Sequence, residues 1–272
     1  MKTNLYFILA GENLFHPLYF ERVLDALDKK EYQVVGVTVP KDHYKDGLLK
    51  MVNFQFQLWG KRGFLMIAFS TFFKSLINEL GLKKNYSISS IAKTHNIKYL
   101  EIDNVNDEKH LDYLKGLGID IIISSNGQIF KKPLLDLPRI ACINRHTALL
   151  PKYGGVLPVF WAMYKKEKKF GVSIHLMVEK VDQGDILYQE EIPLHKRNSL
   201  FKNYILGFGL SVKATINALS NIKKKKIVGH FYPNKNMYFT FPKVSEMEKF
   251  KKAYKTISLG DLLEFSNYNH VR

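Results

Sequence analysis

Asn144 and His146 stand one residue apart at the end of the run Ala141-Cys142-Ile143-Asn144-Arg145-His146. In extended backbone, side chains repeat every two positions, so the pair projects to one side. There the Asn144 amide can donate to a developing oxyanion, and His146 can donate a second hydrogen bond or carry a proton near neutral pH. The polar turn Val181-Asp182-Gln183-Gly184-Asp185 can bring a carboxylate back beside them. Asp182 would orient His146 or help accept the proton lost by an attacking amine. Asp185 competes for that place, and either carboxylate could simply cap the turn. A histidine at a strand end is more often structural. His175, inside the alternating run 172–178, reads as structural or as pocket wall. The nine histidines and one cysteine show no spacing suited to a metal, so no metal is expected.

These groups need elements to deliver them. Residues 5–9 are apolar enough for a central strand, 19–27 carry apolar residues near helical spacing, and 34–39 are a β-branched run. Helices over 88–95 and 108–117 then alternate with strands over 99–102 and 119–123. The second of these strands leads into Ser124-Ser125-Asn126-Gly127. After a brief helical connection bounded by Pro133 and Pro138, residues 139–143 form a neighbouring strand. This alternation predicts an α/β fold: a Rossmann-like, mostly parallel sheet with helices on both faces, plus a small C-terminal extension. Ligand crevices form at the C-terminal ends of such strands. No Gly-x-Gly-x-x-Gly follows the first strand, which removes the main support for dinucleotide binding.

Residues 51–82 are rich in aromatics, among them Phe54, Trp59, Phe69, Phe72 and Phe73, and are interrupted by Gly60 and Gly63. They read as a pair of helices packed on the sheet or forming a lid. With Lys61, Arg62 and Lys74 near the apolar face, a membrane-surface or subunit contact is the other reading.

A chain of 272 residues with 46% hydrophobic side chains folds and can bury a substantial core. Its first apolar run is short and reads as a buried strand rather than a signal peptide, and no stretch has the length of a transmembrane helix. Cys142 is the only cysteine, which excludes an internal disulfide and makes the cytoplasm the expected compartment. The net charge of +16 raises nucleic acid, anionic membrane and phosphorylated small molecules as partners. The excess is mostly lysine, in runs over 165–169 and 223–226 that read as solvated helix ends. Lysine lacks the bidentate fork of arginine, so charge alone specifies no nucleic-acid reader.

The ordered blocks Gly127-Gln128-Ile129, Cys142-Ile143-Asn144-Arg145-His146, Leu149-Leu150-Pro151-Lys152-Tyr153 and Asp182-Gln183-Gly184-Asp185 resemble the folate-dependent formyltransferases. That family includes methionyl-tRNA, glycinamide ribonucleotide and sugar-nucleotide N-formyltransferases. The resemblance spans roughly residues 118–190. It implies Asn144, His146 and Asp182 as catalytic residues and 10-formyltetrahydrofolate as formyl donor to an amine, with Asn144 and His146 stabilising the oxyanion. It also implies Gly127, Gln128, Ile129 and Asp185 as donor-binding, and Lys152, Tyr153 and Trp161 as acceptor-binding. Where the family commonly has Ser-Leu-Leu-Pro and then Arg-Gly, this chain has Ala148 before Leu149 and Gly154 in the arginine's place.

A catalytic domain over 1–200 and a C-terminal helix with an aromatic-rich extension over 201–272 are expected. After a helix over 203–219 only about fifty residues remain, too few for the barrel domain that follows in methionyl-tRNA formyltransferases. The run Leu157-Pro158-Val159-Phe160-Trp161 looks like the sugar-modifying branch, although it also suits a packed helix start. The preferred acceptor is therefore the amine of a nucleotide-linked amino-deoxysugar, as in surface-glycan or lipopolysaccharide synthesis, with methionyl-tRNA as alternative. A homodimer is expected and no stable nucleic-acid partner. Tyr232, Tyr238, Phe239 and Phe241 could stack on a base or sugar, or pack in a core or dimer. A non-enzymatic nucleotide- or RNA-binding protein is the alternative of a different class.

Overall fold

The computed structural model describes residues 2–12, 14–41, 47–79, 87–230 and 237–268. Strands β1 (Thr3–Leu9), β2 (Tyr32–Pro40), β3 (Lys98–Ile102), β4 (Ile121–Ser125) and β5 (Ala141–His146) pair in parallel. A short pair, β6 (Gly154–Gly155) with β9 (Tyr238–Phe239), stands apart, while β7 (Lys169–Leu176) and β8 (Ile186–Pro193) extend the main sheet antiparallel. The seven main strands lie in the order β3-β2-β1-β4-β5-β7-β8. Strand order reverses between β1 and β4, and a ligand crevice opens above the C-terminal ends at such a switch point.

Period-two alternation divides the core. Leu5, Phe7 and Leu9 face helices α1 (Phe15–Ala26), α3 (Ile88–Thr94) and α7 (Leu200–Lys223), of which α7 supplies Phe201, Ile205 and Phe208 at helical spacing. Tyr6, Ile8 and Ile122 face α4 (Glu108–Lys115) and α5 (Lys132–Leu135) on the other side. The expected α/β sheet with helices on both faces is what forms. A third apolar cluster joins α6 (Pro158–Tyr164), α7, Leu58 of α2 (Leu48–Glu79) and α8 (Val244–Ala253).

Several boundaries differ from the sequence reading for local reasons. α1 begins at Phe15 rather than 19, because the Glu12 carboxylate accepts from the N–H groups of Leu14, Phe15 and His16 at 2.5–3.0 Å. β4 starts at Ile121 rather than 119, since Asp120 is committed to the backbone N–H of Asn4 at 2.7 Å and to Arg139 at 2.8 Å. The pair of helices expected over 51–82 is α2 broken at Gly60, whose φ of 71° lies outside helical space. Gly63 stays helical, and its missing side chain admits Ile257: a Cβ there would lie 2.8 Å from that residue's Cγ2. Within the C-terminal extension, α8 is followed by a further helix, α9 (Leu259–Tyr268). Asp261 ties its start to α7 through Ser199 Oγ at 2.7 Å. Tyr232 lies outside the described residues. Among the described residues, no helix is long and apolar enough to cross a membrane.

Candidate active site

A cavity of about 1040 Å³ occupies the switch point. Its walls are the segment after β1, the inner face of α2, residues 124–130 after β4, the end of β5, and the segment 177–182. β5 alternates as its spacing requires: Asn144 and His146 face one side and Arg145 the other.

Antiparallel pairing with β7 sets Asn144 opposite His175. Asn144 Nδ2 donates to His175 Nε2 at 3.2 Å and stands 3.5 Å from Asp182 Oδ1. His175 Nδ1 donates to the Leu176 carbonyl at 2.8 Å, which leaves its Nε2 as the acceptor for Asn144. The 3.5 Å contact is at the outer limit of a hydrogen bond, so that second N–H of Asn144 is the one available to a ligand.

Asp182 sits at φ 54°, a left-handed position that turns its carboxylate back over β5. Its Oδ2 accepts from the Gly155 N–H at 2.7 Å and lies 3.8 Å from His146 Nδ1, and its Oδ1 lies 3.5 Å from His175 Nε2. Burial alone would raise the Asp182 pKa. The charge of His146, the contacts of His175 and the Gly155 N–H outweigh it and hold the carboxyl well below the usual range. His146 is shifted downward, chiefly by burial, against the pull of Asp182 and of the Tyr153 carbonyl. Neutral His146 donates Nε2–H to that carbonyl at 2.9 Å and turns an unprotonated Nδ1 towards Asp182.

The cluster therefore combines an amide donor, a neutral imidazole and a buried carboxylate. Asp182 rather than Asp185 is the carboxylate at His146. Asp185, expected at the donor, stands 3.2 Å from His230 Nδ1 and is off the cavity wall.

Gly127, Gln128 and Ile129 do line the cavity. The Gln128 amide is spent on the loop, accepting from Val105 N–H at 2.9 Å and donating to the Asp103 carbonyl at 2.8 Å, so its role there is to shape the wall. The expected acceptor contacts fare differently. Lys152 is exposed beside Glu167 at 3.5 Å. The Tyr153 hydroxyl donates to Glu167 at 2.9 Å and its ring stacks on Phe239. Trp161 is buried in the α6 cluster with its indole N–H on the Thr240 carbonyl at 3.0 Å. None of the three lines the cavity, and Tyr153 reaches the cluster only through its backbone carbonyl. Of the aromatics near the C-terminus, Tyr238 is on the cavity wall, while Phe239 packs on Tyr153 and Trp161 and Phe241 meets Phe54.

Two contributors owe their place to the fold rather than to a local motif. His175 is placed by cross-strand register, and Gly155 acts through its main chain. Gly155 has φ 91°, and a Cβ there would lie 2.2 Å from the Phe239 carbonyl oxygen across the β6–β9 pair. Gly155→Ala is expected to push β6 away from β9, weaken the hydrogen bond to Asp182 and cost about 1–3 kcal/mol of stability. A lowered thermal midpoint with reduced turnover checks it; an unchanged midpoint contradicts it.

On the opposite face of β5, Arg145 is buried against the Phe208 ring at 3.9 Å and donates to Ser125 Oγ at 3.0 Å and Thr147 Oγ1 at 2.9 Å. Burial lowers its pKa to about 10, so it remains cationic at neutral pH. Ser125 also meets His16 Nε2 at 2.9 Å, and His16 Nδ1 meets Glu12 at 2.6 Å, so a polar relay joins α1, β4 and β5 under the cavity. Among the described residues, no group of His, Cys, Asp and Glu side chains is arranged to hold a metal ion.

The formyl transferase family profile matches residues 73–203. A methionyl-tRNA formyltransferase from Thermotoga maritima is 33% identical over 144 residues, covering 52% of this chain and 45% of that protein. The chain spans a third to about half of the length of the curated relatives it matches. Among solved structures, a sugar N-formyltransferase from a Shewanella species superposes with a TM-score of 0.57 at 17% identity, over 98% of this chain and 87% of that one. An N-formyltransferase from Helicobacter canadensis, solved with folinic acid and dTDP-3-aminofucose, superposes with a TM-score of 0.55 at 16% identity, over 88% of this chain and 71% of that one. These likenesses agree on the fold, and the profile covers Asn144, His146 and Asp182. The stretch that matches the formyl transferase family is residues 73–203, just under half of the chain.

Proposed function

We propose that this protein is a cytoplasmic N-formyltransferase that moves a formyl group from 10-formyltetrahydrofolate to the amine of a nucleotide-linked amino-deoxysugar. The carrying observation is the convergence of Asn144, His146, His175 and Asp182 on one cavity at the switch point. The cavity suits the donor, because apolar walls from Trp59, Phe64 and Ile67 face a polar edge, as a flat heteroaromatic ring with polar substituents requires. The donor supplies the formyl carbon.

Asn144 turns its second N–H onto the formyl oxygen and stabilises negative charge as it develops there. His146, neutral and with Nδ1 unprotonated, accepts the proton lost by the attacking amine. Asp182 then stabilises the resulting imidazolium at 3.8 Å, and His146 returns that proton to the departing tetrahydrofolate nitrogen as the carbon–nitrogen bond to the donor breaks, leaving the N-formyl product. In this geometry His146 is a better proton acceptor than oxyanion donor, since its N–H is held by Tyr153. Holding both reactants in one cavity supplies the orientation term.

The sugar-nucleotide acceptor is supported by the likeness to sugar N-formyltransferases over most of both chains, one of them solved with a dTDP-amino sugar. Methionyl-tRNA is the second reading, favoured by the sequence relatives. The test is consumption of 10-formyltetrahydrofolate against dTDP- and UDP-linked 3-amino and 4-amino sugars and charged initiator methionyl-tRNA, with product mass measured. Formylation of a sugar nucleotide is expected. Formylation of the tRNA alone replaces the acceptor, and binding without transfer to any amine overturns the enzyme assignment.

A further inference from the structure

Beyond Gly60, α2 presents two different apolar faces. Phe64, Ile67, Ala68 and Thr71 line the cavity. Leu65, Phe69, Phe72, Phe73 and Leu76 recur at spacings of three and four, form one stripe, and are 36–67% exposed. Phe69 and Phe73 touch each other, with ring centroids 5.7 Å apart, so the stripe is continuous. Lys61 and Arg62, both exposed, fall on the same arc one turn earlier. No aspartate or glutamate occurs between positions 61 and 78, in a chain whose net charge is +16.

We propose that this outer face docks on an anionic lipid surface, with Phe69, Phe72 and Phe73 entering the headgroup boundary and Lys61 and Arg62 meeting acidic headgroups. Large aromatics on one face with basic residues at its margin are the make-up of an interfacial helix, whose binding adds apolar burial to attraction for anionic lipid. Charge decides between occupants. A second copy of this chain would bring another +16 and set its own Lys61 and Arg62 against the same basic margin, whereas an anionic bilayer complements both. Because the same helix walls the cavity from within, docking brings the site to the membrane surface. The inference is independent of which amine is formylated.

The experiment is flotation of the full chain with phosphatidylcholine vesicles containing phosphatidylglycerol, against phosphatidylcholine alone. The wild type should float with the anionic vesicles and much less with the neutral ones. Lys61→Gln and Arg62→Gln should each lower partitioning about fivefold. The triple change Phe69→Ser, Phe72→Ser and Phe73→Ser should abolish flotation while leaving circular dichroism and the thermal midpoint unchanged. Phe72→Leu is the conservative control and should retain flotation. Three results overturn the proposal: no flotation of the wild type, equal flotation with both vesicles, or a wild-type dimer by light scattering that the triple change converts to monomer.

Discussion

Asn144→Ala should lower kcat for formyl transfer by about 10²–10³-fold, the usual loss of one oxyanion donor, with KM for the donor little changed. His146→Ala should lower it by about 10²–10⁴-fold through loss of the proton acceptor. The two effects have different pH signatures. Burial holds His146 below its ordinary pKa, so the neutral form prevails at neutral pH and rates fall only as the pH drops through the lowered value. That acid limb should persist in Asn144→Ala, where imidazole still titrates, and vanish in His146→Ala. Both side chains sit at the end of β5, where the cavity already offers room, so folding should survive each change. Steady-state kinetics across pH with a validated acceptor are the check. Near-wild-type turnover by His146→Ala would remove its catalytic role.

The second large effect is expected at Asp182. Asp182→Asn keeps the size and the Gly155 hydrogen bond but deletes the charge that stabilises imidazolium, so kcat should fall by about 10²-fold or more. The sign of the accompanying shift follows from the opposing influences on His146. Asp182 favours protonation and burial opposes it, so without the charge the His146 pKa falls further and the acid limb moves to lower pH. A carboxylate that served only as a turn cap would leave that limb in place. The Asp185→Asn change is the matched control: it alters a carboxylate of the same turn that faces His230 instead, and it should leave the profile unmoved.

The groups legible in the sequence were those whose geometry is local. Asn144 and His146 share a face because a strand repeats every two residues, and the two parts of α2 separate at a glycine that leaves helical space. The α/β alternation gave the sheet because each strand and each covering helix has its own period. Asp182 became preferred over Asp185 only through the family resemblance, and the backbone at φ 54° is what aims it. His175 was legible as structural or as pocket wall, but its contact with Asn144 was not, because that partner is 31 positions away across an antiparallel pairing that residue spacing does not encode. The Gly155 N–H had no side chain to signal it. The side-chain directions of Lys152, Tyr153 and Trp161 were not legible for a related reason. Nearness in sequence to His146 says nothing about direction, and Glu167, Phe239 and Thr240 draw these side chains away from the cavity.

The antiparallel pairing of β5 with β7 has a consequence for how such a protein can change. Asn144 and His175 are matched by main-chain register, and a slip of one residue would send His175 to the opposite face. Selection on the chemistry therefore acts on a ladder of backbone bonds as much as on side chains. The excursion between the two strands, residues 147–168, begins and ends on that ladder but sets none of its rungs. Within it, though, the Tyr153 carbonyl holds His146 and the Gly155 N–H holds Asp182. A change of length on either side of these two main-chain groups leaves the register intact, whereas one that displaces them should move the reacting groups themselves.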